Sequence, residues 1–193
     1  NCRGITKSGI ARLAAKPTLR TLKIGGLAID DEVLEVVAGM KQLSGLSLDN
    51  CDISDAGVAR LGALPLADFT IYQNGKVTDA GLAMLASLDR LESLTLRDVP
   101  ITGASLARLP APERLYTLNL AQSKIGDAQA KLLTRFTGLE RLILSETSLT
   151  DAAVDSLATL KNLKSLEMTQ TQVTESGFAR LRAAAPTCAI RSN

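Results

Sequence analysis

The sequence predicts an α/β solenoid, in which parallel strands line the concave face of an arc and short helices line the convex face. Three observations carry this prediction. A unit of about 24 residues recurs along the chain, each unit opens with alternating apolar residues, and each continues with apolar residues at helical spacing. A unit this short cannot bury its apolar face alone, so neighbouring units must stack around one continuous core.

The first half of each unit carries the pattern L-x-x-L-x-L, which predicts a short strand. In the second unit, for example, Leu46 and Leu48 alternate with the polar Ser47. Successive side chains of a strand point to opposite faces, so the leucines face the core and the residues between them face outward. The seven leading leucines are Leu19, Leu43, Leu66, Leu91, Leu115, Leu139 and Leu163.

The second half of each unit predicts a turn followed by a short helix. Ser54 and Thr78 are good N-cap residues, because their side-chain oxygens accept hydrogen bonds from unpaired helix N–H groups. Apolar residues then recur at helical spacing, as at Val58, Leu61 and Leu64. An acid usually stands in the first helical turn, where the helix dipole favours negative charge. These acids are Asp31, Asp55, Asp79, Asp127, Asp151 and Glu175.

With these units the chain resembles leucine-rich repeat proteins of the ribonuclease-inhibitor-like class, from Ile5 to Ile190. The stretches at 53–58 (I-S-D-A-G-V) and 77–82 (V-T-D-A-G-L) resemble the I-T-D-A-G-L repeats of bacterial proteins and GALA-type effectors. The resemblance implies a horseshoe-shaped solenoid, protein binding on the concave face and a bacterial source. Repeats of eukaryotic F-box proteins carry Cys in the turn after the strand, and only Cys51 matches, so a ubiquitin-ligase adaptor role is not supported.

We predict a single leucine-rich-repeat domain over residues 1–193. Residues 1–17 form a partial repeat, residues 18–186 form seven repeats, and residues 187–193 form a terminal capping strand around Ile190. The chain starts at Asn1, without Met and in the middle of a unit. We therefore expect it to be a processed or truncated piece of a longer protein.

The third unit is irregular, because it has one extra residue between Tyr72 and Lys76. The dipeptide Asn74-Gly75 suits a tight turn with positive φ. Two interpretations remain open: neutral drift of a loop, or a binding bulge that presents Tyr72 and Asn74.

Composition limits the chemistry that the chain can perform. It contains no histidine, which excludes Ser-His-Asp triads, Cys-His pairs and His-based zinc sites. Its net charge of +2, with basic residues scattered among acids, argues against a nucleic-acid partner. No apolar run is long enough to span a membrane. We predict no catalytic residues and no cofactor.

The remaining polar groups also have structural explanations. The column of acids raises the question of calcium, but each acid stands at a helix start, so we predict no metal site. Cys2, Cys51 and Cys188 lie in distant units, which predicts three free thiols, or one whose partner lies outside this chain. Cys51 is best interpreted as a small buried hydrophobic residue.

Function is predicted from the residues that point outward between the strand leucines. This face is small and rich in hydroxyl groups, so a plain solvated sheet face is one interpretation. A non-enzymatic scaffold that binds another protein on the concave face is the function that the resemblance implies. A spacer or sensor module of a larger enzyme or effector is the alternative. The predicted partner-binding residues are Asp49, Asp68, Tyr72, Arg97, Asn119 and Arg141.

Overall fold

Eight short strands form one open parallel sheet, in which each strand pairs with the next along the chain. The computed structural model describes residues 7–192. Adjacent strands pair with one repeat between partners, so that Thr21 lies beside Gly45 and Gly45 beside Asp68. The predicted solenoid is therefore confirmed. The strands are β1 Thr21–Gly25, β2 Gly45–Asp49, β3 Asp68–Tyr72, β4 Ser93–Arg97, β5 Thr117–Asn119, β6 Arg141–Ile143, β7 Ser165–Glu167 and β8 Ala189–Arg191.

Helices occupy the other face of the stack, and not all of them are α-helices. The α-helices are α1 Lys7–Ala14, α2 Asp31–Ala38, α3 Asp55–Ala59, α4 Asp127–Leu133, α5 Val154–Leu157 and α6 Glu175–Ala184. The third and fourth repeats instead have 3₁₀-helices at Gly81–Ser87 and Ala104–Arg108. A 3₁₀-helix rises further per residue than an α-helix, which suits a short connection that must return to the next strand. Repeat periodicity alone does not distinguish the two helix types.

Helix α4 begins at Asp127 and ends at Leu133. Gly126 is its N-cap, and the Gln129 side chain accepts a hydrogen bond of 3.3 Å from the Gly126 backbone N–H. Its C-terminal side tightens into a turn, where the Phe136 N–H donates to the Leu133 carbonyl at 3.0 Å. Phe136 is completely buried below this turn.

The core is a continuous layer of apolar side chains between the sheet and the helices. The second residue of each strand from β1 to β7 is buried. Each such side chain contributes about 1.5–3 kcal/mol when it leaves water. These residues are Leu22, Leu46, Phe69, Leu94, Leu118, Leu142 and Leu166.

The predicted caps are present at several helix starts. The Ser54 hydroxyl accepts a hydrogen bond from the Ala56 N–H at 3.2 Å. Thr150 caps the Ala152 N–H at the same distance, and Thr174 caps the Gly177 N–H, also at 3.2 Å.

The acids at the helix starts bind the following repeat, which sequence analysis did not predict. The Asp55 carboxylate accepts hydrogen bonds from the Thr78 N–H and hydroxyl, both at 2.7 Å. Asp127 accepts the equivalent pair from Thr150, at 2.8 and 2.7 Å. Hydrogen bonds to a charged acceptor are stronger than neutral ones. We call this set the carboxylate ladder; its members are Asp31, Asp55, Asp79, Asp127 and Asp151.

The glycine of the D-A-G motif makes room for the carboxylate ladder. A Cβ at Gly57 would lie 2.2 Å from the Asp31 Oδ1, and one at Gly177 would lie 2.3 Å from the Asp151 Oδ1. Ser105 takes this position in the fourth repeat. Its N–H and hydroxyl each donate to the Asp79 Oδ1 at 3.0 Å. The motif is therefore a packing requirement between neighbouring repeats.

The carboxylate ladder is interrupted between the fourth and fifth repeats. Gly103 stands where the other repeats have an acid, and Gly126 stands where most of them have a capping Ser or Thr. Gly103 has a φ of +86°, and a Cβ there would lie 2.3 Å from the Ile125 side chain. Apolar packing replaces the carboxylate contact at this junction.

The carboxylate ladder predicts a loss of stability in acid. Burial opposes the ionisation of Asp79, but hydrogen bonds from Ser105 and Thr102 outweigh it and hold its pKa below the ordinary value of 3.8. The unfolded chain then binds more protons than the folded chain, so stability falls as pH falls through this folded-state pKa. We expect Asp79→Asn to lower the melting temperature at pH 7 and to flatten its decline between about pH 5 and pH 2.

Thermal unfolding followed by circular dichroism at several pH values measures this effect. Asp89→Asn is the control, since Asp89 is exposed and makes no hydrogen bond or ion pair within residues 7–192. An acid-induced decline of equal size in Asp79→Asn and the parent would contradict the assignment.

Candidate functional site

A row of three side chains crosses the concave face at the ends of three neighbouring strands. Asp49, Tyr72 and Arg97 are the last residues of β2, β3 and β4, and the strand register places them side by side. The alternation of each strand turns them away from the core. We call them the Asp49–Tyr72–Arg97 row. Together with Ser47, Thr70, Thr95 and Asn119 they line a shallow depression of about 270 Å³.

Arg97 is held in place by its neighbours. Its guanidinium carbon lies 5.3 Å from the centre of the Tyr72 ring, a cation–π arrangement. Its Nε donates to the Gln122 Oε1 at 3.1 Å, and the Gln122 Nε2 donates to the Glu146 Oε2 at 3.0 Å. The terminal amino groups of Arg97 make no ion pair with any carboxylate in the described part of the chain. Arg97 therefore presents an oriented pair of donors to a ligand.

Asn119 also lines the depression, with one half of its amide already engaged. Its Oδ1 accepts a hydrogen bond from the Ala121 N–H at 3.0 Å. This bond fixes the amide so that its NH₂ group remains a donor at the edge of the depression.

Asp68 and Arg141 lie away from this depression, although sequence analysis grouped them with the other four residues. Asp68 is the first residue of β3 and Tyr72 is the last, which places them about 13 Å apart. The Arg141 Nη2 donates to the Glu167 Oε1 at 3.2 Å, and the Arg191 Nη1 lies 3.7 Å from the Glu167 Oε2. The structure thus brings Asp49, Tyr72, Arg97 and Asn119 together, and places the other two elsewhere on the face.

Asn74 is a core residue, so the interpretation of a bulge that presents it to a partner is wrong. Its side chain is only 1% exposed. Its Oδ1 accepts from the Cys51 N–H at 3.0 Å, and its Nδ2 donates to the Leu48 and Tyr72 carbonyls at 3.1 and 2.6 Å. Asn74 therefore joins the ends of β2 and β3. The positive φ of this turn belongs to Gln73, at 53°, and not to Asn74-Gly75.

Sequence analysis missed the residues that support Arg97. Gln122 and Glu146 belong to a column of non-glycine residues with φ between 48° and 60°. Each repeat from the second onward contributes one such residue, which follows its strand. All six are Asn, Asp, Gln or Glu residues spaced about one repeat apart, and this is the signal that identifies the column in the sequence. Its members are Asn50, Gln73, Asp98, Gln122, Glu146 and Gln170.

The described residues offer no assembled metal or thiol chemistry. Cys51 and Cys188 are free, while Cys2 lies outside residues 7–192. Burial raises the pKa of Cys51 to about 11, so its thiol stays protonated and weakly nucleophilic at neutral pH. Within the same range no three potential metal-binding side chains come together. None of the helices there is long and apolar enough to cross a membrane.

Solved structures of leucine-rich repeat proteins share this fold. The internalin inlF of Listeria monocytogenes aligns with a TM-score of 0.72 at 22% identity, covering 95% of this chain and 50% of the internalin chain. A leucine-rich repeat protein of Leptospira interrogans aligns with a TM-score of 0.65 at 20% identity, covering 93% and 50%. The Listeria internalin C2 aligns with a TM-score of 0.64 at 19% identity, covering 98% and 84%.

Comparisons of the sequence with protein families and with curated proteins give no closer assignment. A scan against known protein families finds no match, and no curated protein matches the sequence. The chain spans about half the length of the inlF and Leptospira chains. Both source organisms of the similar structures are bacteria. The one parallel sheet, the repeat register and these alignments agree that the chain has the leucine-rich-repeat fold.

Proposed function

We propose that the chain is a non-enzymatic scaffold that binds another protein through the concave face of its sheet. The observation that carries this proposal is the Asp49–Tyr72–Arg97 row. There a carboxylate, an aromatic ring and a guanidinium stand side by side on a rigid sheet. The two charged groups are exposed and have no ion-pair partner among residues 7–192.

The residue types of the row suit a binding site. Tyr and Arg are enriched among residues that dominate protein–protein binding energy. The contacts of Arg97 with Tyr72 and Gln122 already restrict its side chain, so binding loses less conformational entropy there. The lack of histidine in the sequence and the raised pKa of Cys51 support a role without catalysis.

The centre of the proposed interface lies over β2 to β5 and not over the C-terminal strands. On the concave face near β6 to β8 the charged side chains already pair with one another, because Glu167 forms ion pairs with Arg141 and Arg191. A partner that bound there would first have to separate these ion pairs. Thr70 and Thr95 instead give the β3–β4 region a floor of small side chains that a partner can approach closely.

We further propose that the repeats belong to the ribonuclease-inhibitor-like class, in its bacterial I-T-D-A-G-L form. The carboxylate ladder supports this assignment, because it gives the Ser/Thr, Asp and Gly of the motif one shared packing role. A spacer within a longer protein is the second candidate function. The observation that favours it is that the chain matches half of each of two longer chains.

Affinity capture with a matched pair of variants tests the proposed function. The parent chain, a Tyr72→Ala/Arg97→Glu variant and a convex-face Lys131→Ala/Arg108→Glu variant are immobilised and exposed to lysates of the source cells and of host cells. Each variant combines one truncation with one charge reversal at exposed or half-exposed positions. We expect a specific protein that the parent and the convex variant retain and the concave variant loses.

The melting temperatures of the three proteins provide the control, because all four side chains lie outside the core. We expect them to agree within about 3 °C, the effect of roughly 1 kcal/mol in a domain of this size. Equal retention by the two variants would refute the concave site. Specific retention by none of the three proteins would favour the spacer.

A further inference from the structure

The charges of the Asp49–Tyr72–Arg97 row define a pattern that a partner must complement. Read across the strands, the row runs from an anion through an aromatic ring to a cation. Arg97 lies on β4, two strands away from Asp49 on β2. Adjacent strands are about 4.8 Å apart, so the backbones of Asp49 and Arg97 lie about 10 Å apart, with that of Tyr72 midway between them. A complementary element therefore needs an acid and a base about 10 Å apart on one face.

The spacing of the row fits a helix better than an extended segment. An α-helix rises about 1.5 Å per residue, so residues i, i+4 and i+7 share one face at about 0, 6 and 10.5 Å. In an extended strand, residues i and i+2 on one face are about 6.7 Å apart and residues i and i+4 are about 13 Å apart. Neither distance matches the separation of about 10 Å across the row. A helix that lies across the strands thus matches both the central ring and the outer charges.

The floor beside the row leaves room for such a helix. Ser47, Thr70 and Thr95 stand two residues before the row on β2, β3 and β4, and all three line the same depression. Their side chains are short, whereas larger side chains would hold a helix of about 10 Å diameter away from the sheet. Their hydroxyl groups accept or donate hydrogen bonds as the partner requires.

We propose that the Asp49–Tyr72–Arg97 row recognises one α-helix of a partner protein, which carries an acidic and a basic residue seven positions apart. The acid pairs with the terminal amino groups of Arg97, the base pairs with Asp49, and an apolar residue between them packs on Tyr72. Either helix direction satisfies the pattern, so the acid precedes or follows the base. This inference rests on the proposed concave-face binding and adds the chemistry of the partner.

Selection from a displayed library tests the inference without knowledge of the natural partner. The probe is a stable three-helix bundle in which the exposed face of one helix is randomised. Selection is performed in parallel on the parent chain, on Arg97→Glu, on Asp49→Lys and on the convex control Lys131→Glu. The melting temperature of each variant is measured first, to establish that it is folded.

We expect the parent and Lys131→Glu to select helices with opposite charges at positions i and i+7. Arg97→Glu makes both ends of the row negative, so it should select two basic residues at this spacing. Asp49→Lys makes both ends positive, so it should select two acidic residues. Clones selected on the parent should bind Arg97→Glu at least about tenfold more weakly.

Two other outcomes would overturn the inference. Clones that bind the parent but not Arg97→Glu, yet show no charge pair at i and i+7, would place a partner on the concave face with a different chemistry and leave the proposed function standing. A selection that yields no clone dependent on the row would show that the row does not recognise helices. The capture experiment decides the proposed function independently of both outcomes.

Discussion

Replacing Asn74 with alanine is expected to destabilise the fold by about 2–4 kcal/mol, since a buried polar group that loses its partner costs about 1–3 kcal/mol. The substitution removes the acceptor of the Cys51 N–H and the donor for the Leu48 and Tyr72 carbonyls. Asn74 is almost completely buried, so water cannot replace these bonds without opening the structure. Equilibrium unfolding in urea measures the difference.

Two further variants make the Asn74 prediction specific. Lys76→Ala changes the same turn but removes only an exposed ion pair with Asp52, so it should have little effect on the free energy of unfolding. Asn74→Asp retains an acceptor for the Cys51 N–H but faces two carbonyls with a carboxylate, so it should not restore stability. If Asn74→Ala were as stable as Lys76→Ala, the buried role of Asn74 would be wrong.

Gly57→Ala is the second substitution with a large expected effect, also about 2–4 kcal/mol. Its Cβ would lie 2.2 Å from the Asp31 Oδ1, too close for any stable contact. The Asp31 carboxylate would have to leave the Ser54 N–H, to which it is bonded at 2.8 Å. Overpacking costs about 1–3 kcal/mol and the lost hydrogen bonds to a charged acceptor add to it.

A double-mutant cycle with Asp31→Ala isolates this contact. Once the carboxylate is absent, Gly57→Ala should cost much less than in the parent, with a coupling of about 1–3 kcal/mol. Gly75→Ala is the control, because no atom lies within 4 Å of a Cβ at that position. Additive effects of Gly57→Ala and Asp31→Ala would show that the glycine serves some other purpose.

The sequence predicted the repeat architecture because its signals are local. Leu46 and Leu48 mark a strand by their alternation, and Ser54 marks a helix start by its capping chemistry. Both assignments are confirmed, since the leucines are buried in β2 and Ser54 caps α3. Each needs only a few neighbouring residues to be recognised.

The contacts that the sequence did not reveal join residues about one repeat apart. Asp55 and Thr78 are 23 residues apart, and their hydrogen bonds exist only once the repeats stack. The pairing of Arg141 with Glu167 has the same origin. The dipeptide Asn74-Gly75 is typical of exposed turns, so the sequence indicates a loop residue. The burial of the Asn74 side chain depends on the neighbouring repeat, which local sequence does not reveal.

Photo-crosslinking tests the central claim, that the concave row contacts a partner protein, most directly. Benzoylphenylalanine replaces Tyr72 in one chain and Lys131 in another; the first position lies on the concave row and the second on the convex helix α4. Both chains are irradiated in intact source cells or in the lysate that yields a captured protein. We predict a discrete crosslinked product from position 72 and none from position 131. A product from position 131 alone, or from neither position, would contradict the account.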